Sequence, residues 1–207
     1  MIEFWTNPMS RGQIAHWMLE ELGQPYTTNW LDWGPAGSKS AAYLAVNPMG
    51  KVPAVRHNGQ VVTEAAAICL YLADAFPQAK LKPGADRLGD FYRWTMFAAG
   101  PVEQAVVARS MKWEVPEGRD MMVGFGSFDA AIGALAQMLE GRDFVCGKNF
   151  TAADVYVGSQ VDWGLMFGSI PTRPVFEAYA GRLRERPAYK SSKAINNAHM
   201  AAMKAGG

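Results

Sequence analysis

Apolar positions in the first third of the chain switch repeatedly between a strand spacing and a helical one. Residues 2–5 form a short strand run that breaks at Asn7-Pro8. Ile14, Met18 and Leu22 then recur at i, i+4 and i+8, one face of a helix. Gly23 follows in the place where a left-handed residue ends a helix, and Gln24-Pro25 turns the chain. Residues 26–31 read as a second strand, favoured by Thr27, Thr28 and Trp30. Small polar residues over 34–40 make a loop before a short helix at 41–46. Residues 52–56 and 60–62 flank His57-Asn58-Gly59, and Asn-Gly is a strong hairpin signal. A helix then opens at Thr63-Glu64 and runs to Phe76, stopped by Pro77.

The order strand, helix, strand, then hairpin and helix matches a thioredoxin-like α/β half. After Pro77 no convincing strand follows. Phe91, Trp94 and Ala98 mark one helix, and Phe128, Ile132, Leu135 and Leu139 mark another. The clearest helix start is Phe150-Thr151-Ala152-Ala153-Asp154-Val155. There Thr151 caps, Asp154 reaches back in a capping box, and Phe150 staples onto Val155. Further helices are expected over 174–184 and 188–203, separated by Pro187. The expected organisation is therefore an α/β thioredoxin-like domain over 1–77, a linker over 78–83 rich in Lys and Pro, and an all-helical domain over 84–207.

Composition narrows the class. At 207 residues the chain suits two small domains, and 49% hydrophobic with 19% charged residues is ordinary globular usage. Twenty basic against 19 acidic residues, a net charge of +1, argues against a nucleic-acid surface, and no run of like charge points to a membrane face. The N-terminus lacks the basic and apolar regions of a secretory signal, and the longest apolar run, 65–73, is about half the length a membrane span needs. Cys69 and Cys146 lie far apart and read as small core residues, so a reducing cytoplasm is the expected compartment. The histidines, His16, His57 and His199, are scattered, with no spacing for a metal or for nucleophilic catalysis.

Three motifs carry candidate chemistry. Asn47-Pro48-Met49-Gly50-Lys51-Val52-Pro53 places a proline at the start of a strand after a Pro-x-Gly turn. That is either a plain turn or a cis-proline that leaves the Val52 backbone ready to pair with an extended peptide ligand. Thr63-Glu64-Ala65 opens a helix with a carboxylate at its start. Glu64 either complements the helix dipole or accepts an ammonium group while the free N–H groups hold a carboxylate, as the zwitterionic end of an amino acid requires. Ser10, before the first helix, either caps it or donates a hydrogen bond to a ligand sulfur. Lowering a thiol pKa by two units takes about 2.7 kcal/mol. A hydrogen bond to a charged group supplies about 1.5–3 kcal/mol and a helix N-terminus about 0.3–1 more, so no general base is needed.

Together these segments resemble the soluble glutathione transferases over nearly the whole chain. Asn7-Pro8-Met9-Ser10-Arg11-Gly12 with Trp17-Met18-Leu19-Glu20-Glu21-Leu22-Gly23 is similar to that family's first loop and helix. The 47–53 motif is similar to its cis-proline turn, Glu64 with residues 65–68 to its Glu-Ser-x-Ala-Ile helix start, and residues 150–154 to its C-terminal capping box. The resemblance implies a glutathione site in which Ser10 activates the sulfur, Val52, beside Pro53, pairs with the cysteinyl backbone, and Glu64 holds the γ-glutamyl ammonium. Lys39 or Lys51 would meet the glycine carboxylate, Arg11 the sulfur or a substrate charge. It further implies a serine-type, theta-like bacterial class, glutathione as co-substrate without a metal, and a homodimer. Ala65 stands where the family usually has serine, which removes one hydroxyl contact at a cost of about 1 kcal/mol. No tyrosine lies near the end of the first strand and no cysteine near the first helix, so tyrosine- and cysteine-type chemistry is not expected.

The electrophile side is less defined. An apolar pocket is expected between the domains. Its lining is assigned to Met9, Met111 and Trp113, and more loosely to Trp163 and Phe167, each with core packing as the alternative. Conjugation of glutathione to a hydrophobic electrophile is the leading reading. A non-catalytic protein of the same fold, binding apolar ligands or a partner, competes with it. A glutathione-dependent isomerase shares the site, but its Ser-Ser-Cys-Ser-like loop is not matched by Asn7-Pro8-Met9-Ser10.

Overall fold

The structure, a computed structural model, describes residues 1–205, which pack as two compact units. The first comprises Met1–Lys80 together with the chain from Glu185 onward, and the second Leu81–Arg184.

The first unit opens with β1 (Ile2–Thr6), α1 (Gly12–Leu22), β2 (Tyr26–Trp30) and the short α2 (Ala41–Leu44). It continues with β3 (Ala54–His57), β4 (Gln60–Thr63) and α3 (Ala65–Ala75). The sheet order is β2-β1-β3-β4. β1 and β2 run parallel, as their connection through a helix requires, whereas β3 pairs antiparallel with both neighbours. This is the thioredoxin-like α/β arrangement expected from the sequence. Along β1 the inward positions Ile2, Phe4 and Thr6 are buried and Glu3 and Trp5 half-exposed, the period of two that the residues spell out. Ile14, Met18, Leu19, Ile68 and Leu72 complete the core beside Phe4. Gly23 ends α1 at φ +65°, a conformation that costs other residues, and its N–H donates to the Leu19 carbonyl. The Val52–Pro53 peptide bond is cis. Cys69 is fully buried, and burial pushes its thiol well above the usual range.

The last helix, α9 (Pro187–Ala205), packs along α1 and so clusters with this unit. That differs from a helical domain running from 84 to 207, because the partners that decide it are distant in sequence. Arg186 binds Glu21 through Nε and Nη2 at 2.6 and 2.7 Å, and Tyr189 meets Trp17 edge-on at 5.1 Å. Asn196 Nδ2 donates to His16 Nδ1 at 3.0 Å, and His199 stacks on Trp30 at 3.9 Å.

The second unit is helical: α4 (Leu88–Phe97), α5 (Glu103–Ser110), α6 (Phe128–Leu139), α7 (Ala152–Phe167) and α8 (Pro174–Arg184). A π-helical turn, Ala98–Val102, joins α4 to α5 and contains Pro101, which has no N–H to give the ladder. The sequence reading has no helix at α5: Ala105 is its one buried position, so no apolar stripe marks it. α7 starts with the expected capping box between Thr151 and Asp154. The buried Asp154 carboxylate accepts from the Thr151 N–H at 2.8 Å, the Val145 N–H at 2.7 Å and the Tyr179 hydroxyl at 2.9 Å. Burial pushes this carboxyl up to about 6 although those donors pull it down. The Phe150 ring packs edge-on against Phe144 at 5.7 Å. Among the described residues no helix is long and apolar enough to cross a membrane.

Candidate functional site

Strand register alone gathers the candidate segments of the first unit. Trp5 pairs with Ala54, and Ala54 with Thr63, forming one row across three strands. Ser10 and Arg11 follow β1, Val52 and Pro53 precede β3, and Glu64 and Ala65 follow β4. Because β3 runs against β1 and β4, all three pairs leave the sheet at the same end. The N-termini of α1 and α3 start there too, each with the partial positive charge of a helix start.

The Ser10 loop is built around Asn7, which is fully buried. Its side-chain N–H donates to the Leu31 carbonyl at 2.7 Å, and its Oδ1 accepts from the Met9 N–H at 2.9 Å. Its backbone carbonyl accepts the Ser10 hydroxyl at 2.6 Å, and the Ser10 Oγ accepts the Gly12 N–H at 2.9 Å. The hydroxyl is thus bonded within its own loop; Arg11, not Ser10, is the N-cap of α1, and no side chain caps that helix. Gly12 has no room for a side chain: a Cβ would lie 2.0 Å from Thr6 Oγ1 and 2.9 Å from Ser10 Oγ. Arg11 is exposed at the start of α1.

The second segment is held by its own backbone. Tyr43 Oη and Asn47 Nδ2 both donate to the Lys51 carbonyl, at 2.6 and 2.7 Å. Burial raises the Tyr43 phenol to about 12, so it remains a donor. Val52 is half-buried and lies outside both ladders, which begin at Ala54. Lys39 donates to the Met49 carbonyl at 2.8 Å. It crosses Gly50, whose φ of +57° and close neighbours, Ser38 O at 2.6 Å from an added Cβ, demand glycine. Lys39 therefore buttresses the turn.

Glu64 sits at φ +66°, ψ +116°, a backbone conformation uncommon for a residue with a side chain. Strain of this kind concentrates at ligand sites. The Glu64 carbonyl accepts the Ile68 N–H at 2.9 Å, and Ala65 begins α3 at 7% exposure.

Met111 and Trp113 lie in the second unit, at the end of α5 and just beyond it. Both are exposed, at 57% and 63%, so neither is a core residue. Trp113 lines two concavities of about 450 and 360 Å³ formed by residues 105–128; Met111 lines neither. Met9 and Phe167 are exposed in their own units, and Trp163 is half-buried.

Sequence reasoning quoted Asn7 and Gly12 within the first-loop motif without giving either a role, and did not single out Gln13. Asn7 precedes a proline, a turn signal, but its reach to Leu31 is a tertiary contact.

A protein-family description, "Glutathione S-transferase, N-terminal domain", matches residues 9–75, the stretch from the Ser10 loop through α3. Glutathione S-transferase A of Pleuronectes platessa is 29% identical, over 84% of this chain and 83% of its own length. A glutathione transferase from Methylococcus capsulatus superposes with a TM-score of 0.78 at 25% identity, covering 95% of this chain and 99% of that one. A sphingomonad glutathione S-transferase complexed with glutathione gives 0.74 at 27% identity, covering 94% and 98%. The chain thus has the glutathione transferase fold. These likenesses in sequence and structure support its place among the soluble glutathione transferases.

Proposed function

We infer that the protein is a glutathione transferase that conjugates reduced glutathione to a hydrophobic electrophile, with Ser10 stabilising the thiolate. The observation that carries this reading is the shared sheet end at which Ser10, Val52, Glu64 and two helix N-termini meet. A tripeptide with an anionic sulfur and a zwitterionic end needs that set: a hydroxyl, an unpaired strand edge, and a carboxylate beside free N–H groups. In this reading Val52, next to Pro53, pairs with the cysteinyl backbone and Glu64 takes the γ-glutamyl ammonium. The Ala65 N–H meets the γ-glutamyl carboxylate without help from a side-chain hydroxyl. Lys39, already on Met49, offers its remaining protons to the glycine carboxylate, and Arg11 faces charge near the sulfur. Met111 and Trp113 contribute apolar surface to the electrophile.

Sulfur activation is an exchange of acceptors. The Gly12 N–H polarises the Ser10 hydroxyl, which turns from the Asn7 carbonyl to the sulfur. Holding both reactants then supplies the rest of the acceleration without a covalent enzyme intermediate. The serine-type, theta-like class, a homodimer and a reducing cytoplasm belong to the same proposal.

The test is steady-state conjugation of glutathione to a nitroaryl halide by wild type and Ser10→Ala. Turnover that collapses in the variant, with glutathione affinity retained, supports the enzyme. A second reading, a non-catalytic binder, draws on the Ser10 proton being directed at Asn7; it gains if wild type binds glutathione without turnover.

A further inference from the structure

The first turn of α1 is tied to two distant places by one side chain. Gln13 Nε2 donates to the Pro8 carbonyl at 2.5 Å, and Gln13 Oε1 accepts from Lys193 Nζ at 3.0 Å. The amide orientation follows from its partners: a carbonyl needs the NH₂ end, and an ammonium needs the oxygen. Lys193 belongs to α9, 180 residues further along the chain. Its ammonium also lies 5.4 Å from the Tyr189 ring, which packs on Trp17 of α1. Arg186 on Glu21 and Asn196 on His16 hold the same helix at two other points. The Lys193 end of the bridge therefore sits on a helix that is held to α1 at several points.

Pro8 is the residue after Asn7 and two before Ser10, so the loop is fixed from both sides. Asn7 ties it to Leu31 at the end of β2, and Gln13 ties it to α9. We propose that Gln13 and Lys193 are positioning residues for sulfur activation: through them the last helix fixes the Pro8 carbonyl and hence the Ser10 hydroxyl. The inference rests on reading Ser10 as the group that stabilises the bound thiolate. A hydroxyl aimed at an anion acts best when its place is set before the anion arrives. The bridge does this, and the Lys193 charge polarises the Gln13 amide toward Pro8. Neither residue touches the ligand in this scheme, so both act on the sulfur step more than on glutathione affinity.

The experiment uses the full chain and five variants: Gln13→Ala, Lys193→Met, Lys193→Arg, the Gln13→Ala/Lys193→Met double variant and Ser10→Ala. For each, kcat and KM for glutathione, the pH profile of kcat/KM, calorimetric affinity and the thermal midpoint are measured. Gln13→Ala and Lys193→Met are expected to lower kcat about tenfold while glutathione affinity changes less than about threefold. The apparent thiol pKa should rise by about half a unit or more in both. Lys193→Arg should restore activity to within about twofold, and the double variant should fall no further than the worse single one. An unmoved pH profile in an active Gln13→Ala protein overturns the proposal alone, as do losses that merely track the thermal midpoint. Wild type without turnover, or Ser10→Ala with wild-type turnover, overturns the reading of Ser10 and this proposal with it.

Discussion

The Ser10 hydroxyl lies 2.6 Å from the Asn7 carbonyl oxygen, and its proton points to backbone rather than outward. A neutral hydrogen bond of this kind contributes about 1 kcal/mol, whereas one to a charged sulfur contributes about 1.5–3 kcal/mol. Exchanging the first for the second is favourable, so one hydroxyl can both hold the loop and stabilise a bound thiolate. Ser10→Ala should therefore reduce kcat/KM at neutral pH by about 2–30-fold, matching the net loss of about 0.5–2 kcal/mol left after the Asn7 bond is given up. Ser10→Thr should retain most of the activity. Initial rates against glutathione concentration check both.

Gly12 should tolerate no side chain. An alanine Cβ would lie 2.0 Å from the Oγ1 of Thr6, which is fully buried. Gly12→Ala is expected to cost about 1–3 kcal/mol of stability, read from urea midpoints, and to shift Ser10 enough to depress turnover as well.

The first unit should lose stability in mild acid through His16. The ring is enclosed: Tyr26 Oη lies 2.9 Å from Nε2, Asn196 Nδ2 is 3.0 Å from Nδ1, and Phe4 and Trp30 pack beside it. Glu20, which accepts from Tyr26 at 2.6 Å, is the carboxylate facing the cluster, and His199 lies beyond Trp30. Burial lowers the His16 pKa, against smaller opposing effects of Asn196 and Glu20. The folded state therefore binds its proton less readily than the unfolded state. The contribution is fully present above the ordinary histidine pKa of about 6.5 and is lost as pH falls through it toward the folded value, with a slope of up to about 1.4 kcal/mol per pH unit. Asp154 works in the opposite sense: its raised carboxyl adds stability at low pH that disappears as pH rises through about 6. The measurement is accordingly the difference between wild type and His16→Gln in urea midpoint at pH 7.5 and 5.5. A gap that does not change with pH contradicts it.

Asp154→Ala should be among the most damaging changes in the second unit. It strips the acceptor from the Val145 and Thr151 N–H groups and from the Tyr179 hydroxyl, all buried. Each orphaned group costs about 1–3 kcal/mol, so the loss should reach several kcal/mol, enough to abolish cooperative thermal unfolding.

Local features were legible in the residues. Ile14, Met18 and Leu22 marked α1, Asn58-Gly59 marked the hairpin, and Thr151 with Asp154 marked the start of α7, because each is a short-range pattern. What escaped depends on distant partners. The docking of α9 turns on Glu21 and His16, and Asn7 matters through Leu31. α5 follows a π-helical turn that carries Pro101, a residue that usually ends a helix. The positive φ of Glu64 has no local signal, since the residue type disfavours it. Ser10, Val52 and Glu64 were chosen from separate motifs, and only strand register relates them.

The most direct test of a glutathione site at that sheet end is calorimetric titration with reduced glutathione, wild type beside Glu64→Ala. Saturable binding to wild type, weakened about tenfold or more in the variant through loss of a charge-assisted hydrogen bond, is the expected result. No heat at millimolar glutathione, or equal affinity in the two proteins, would contradict it.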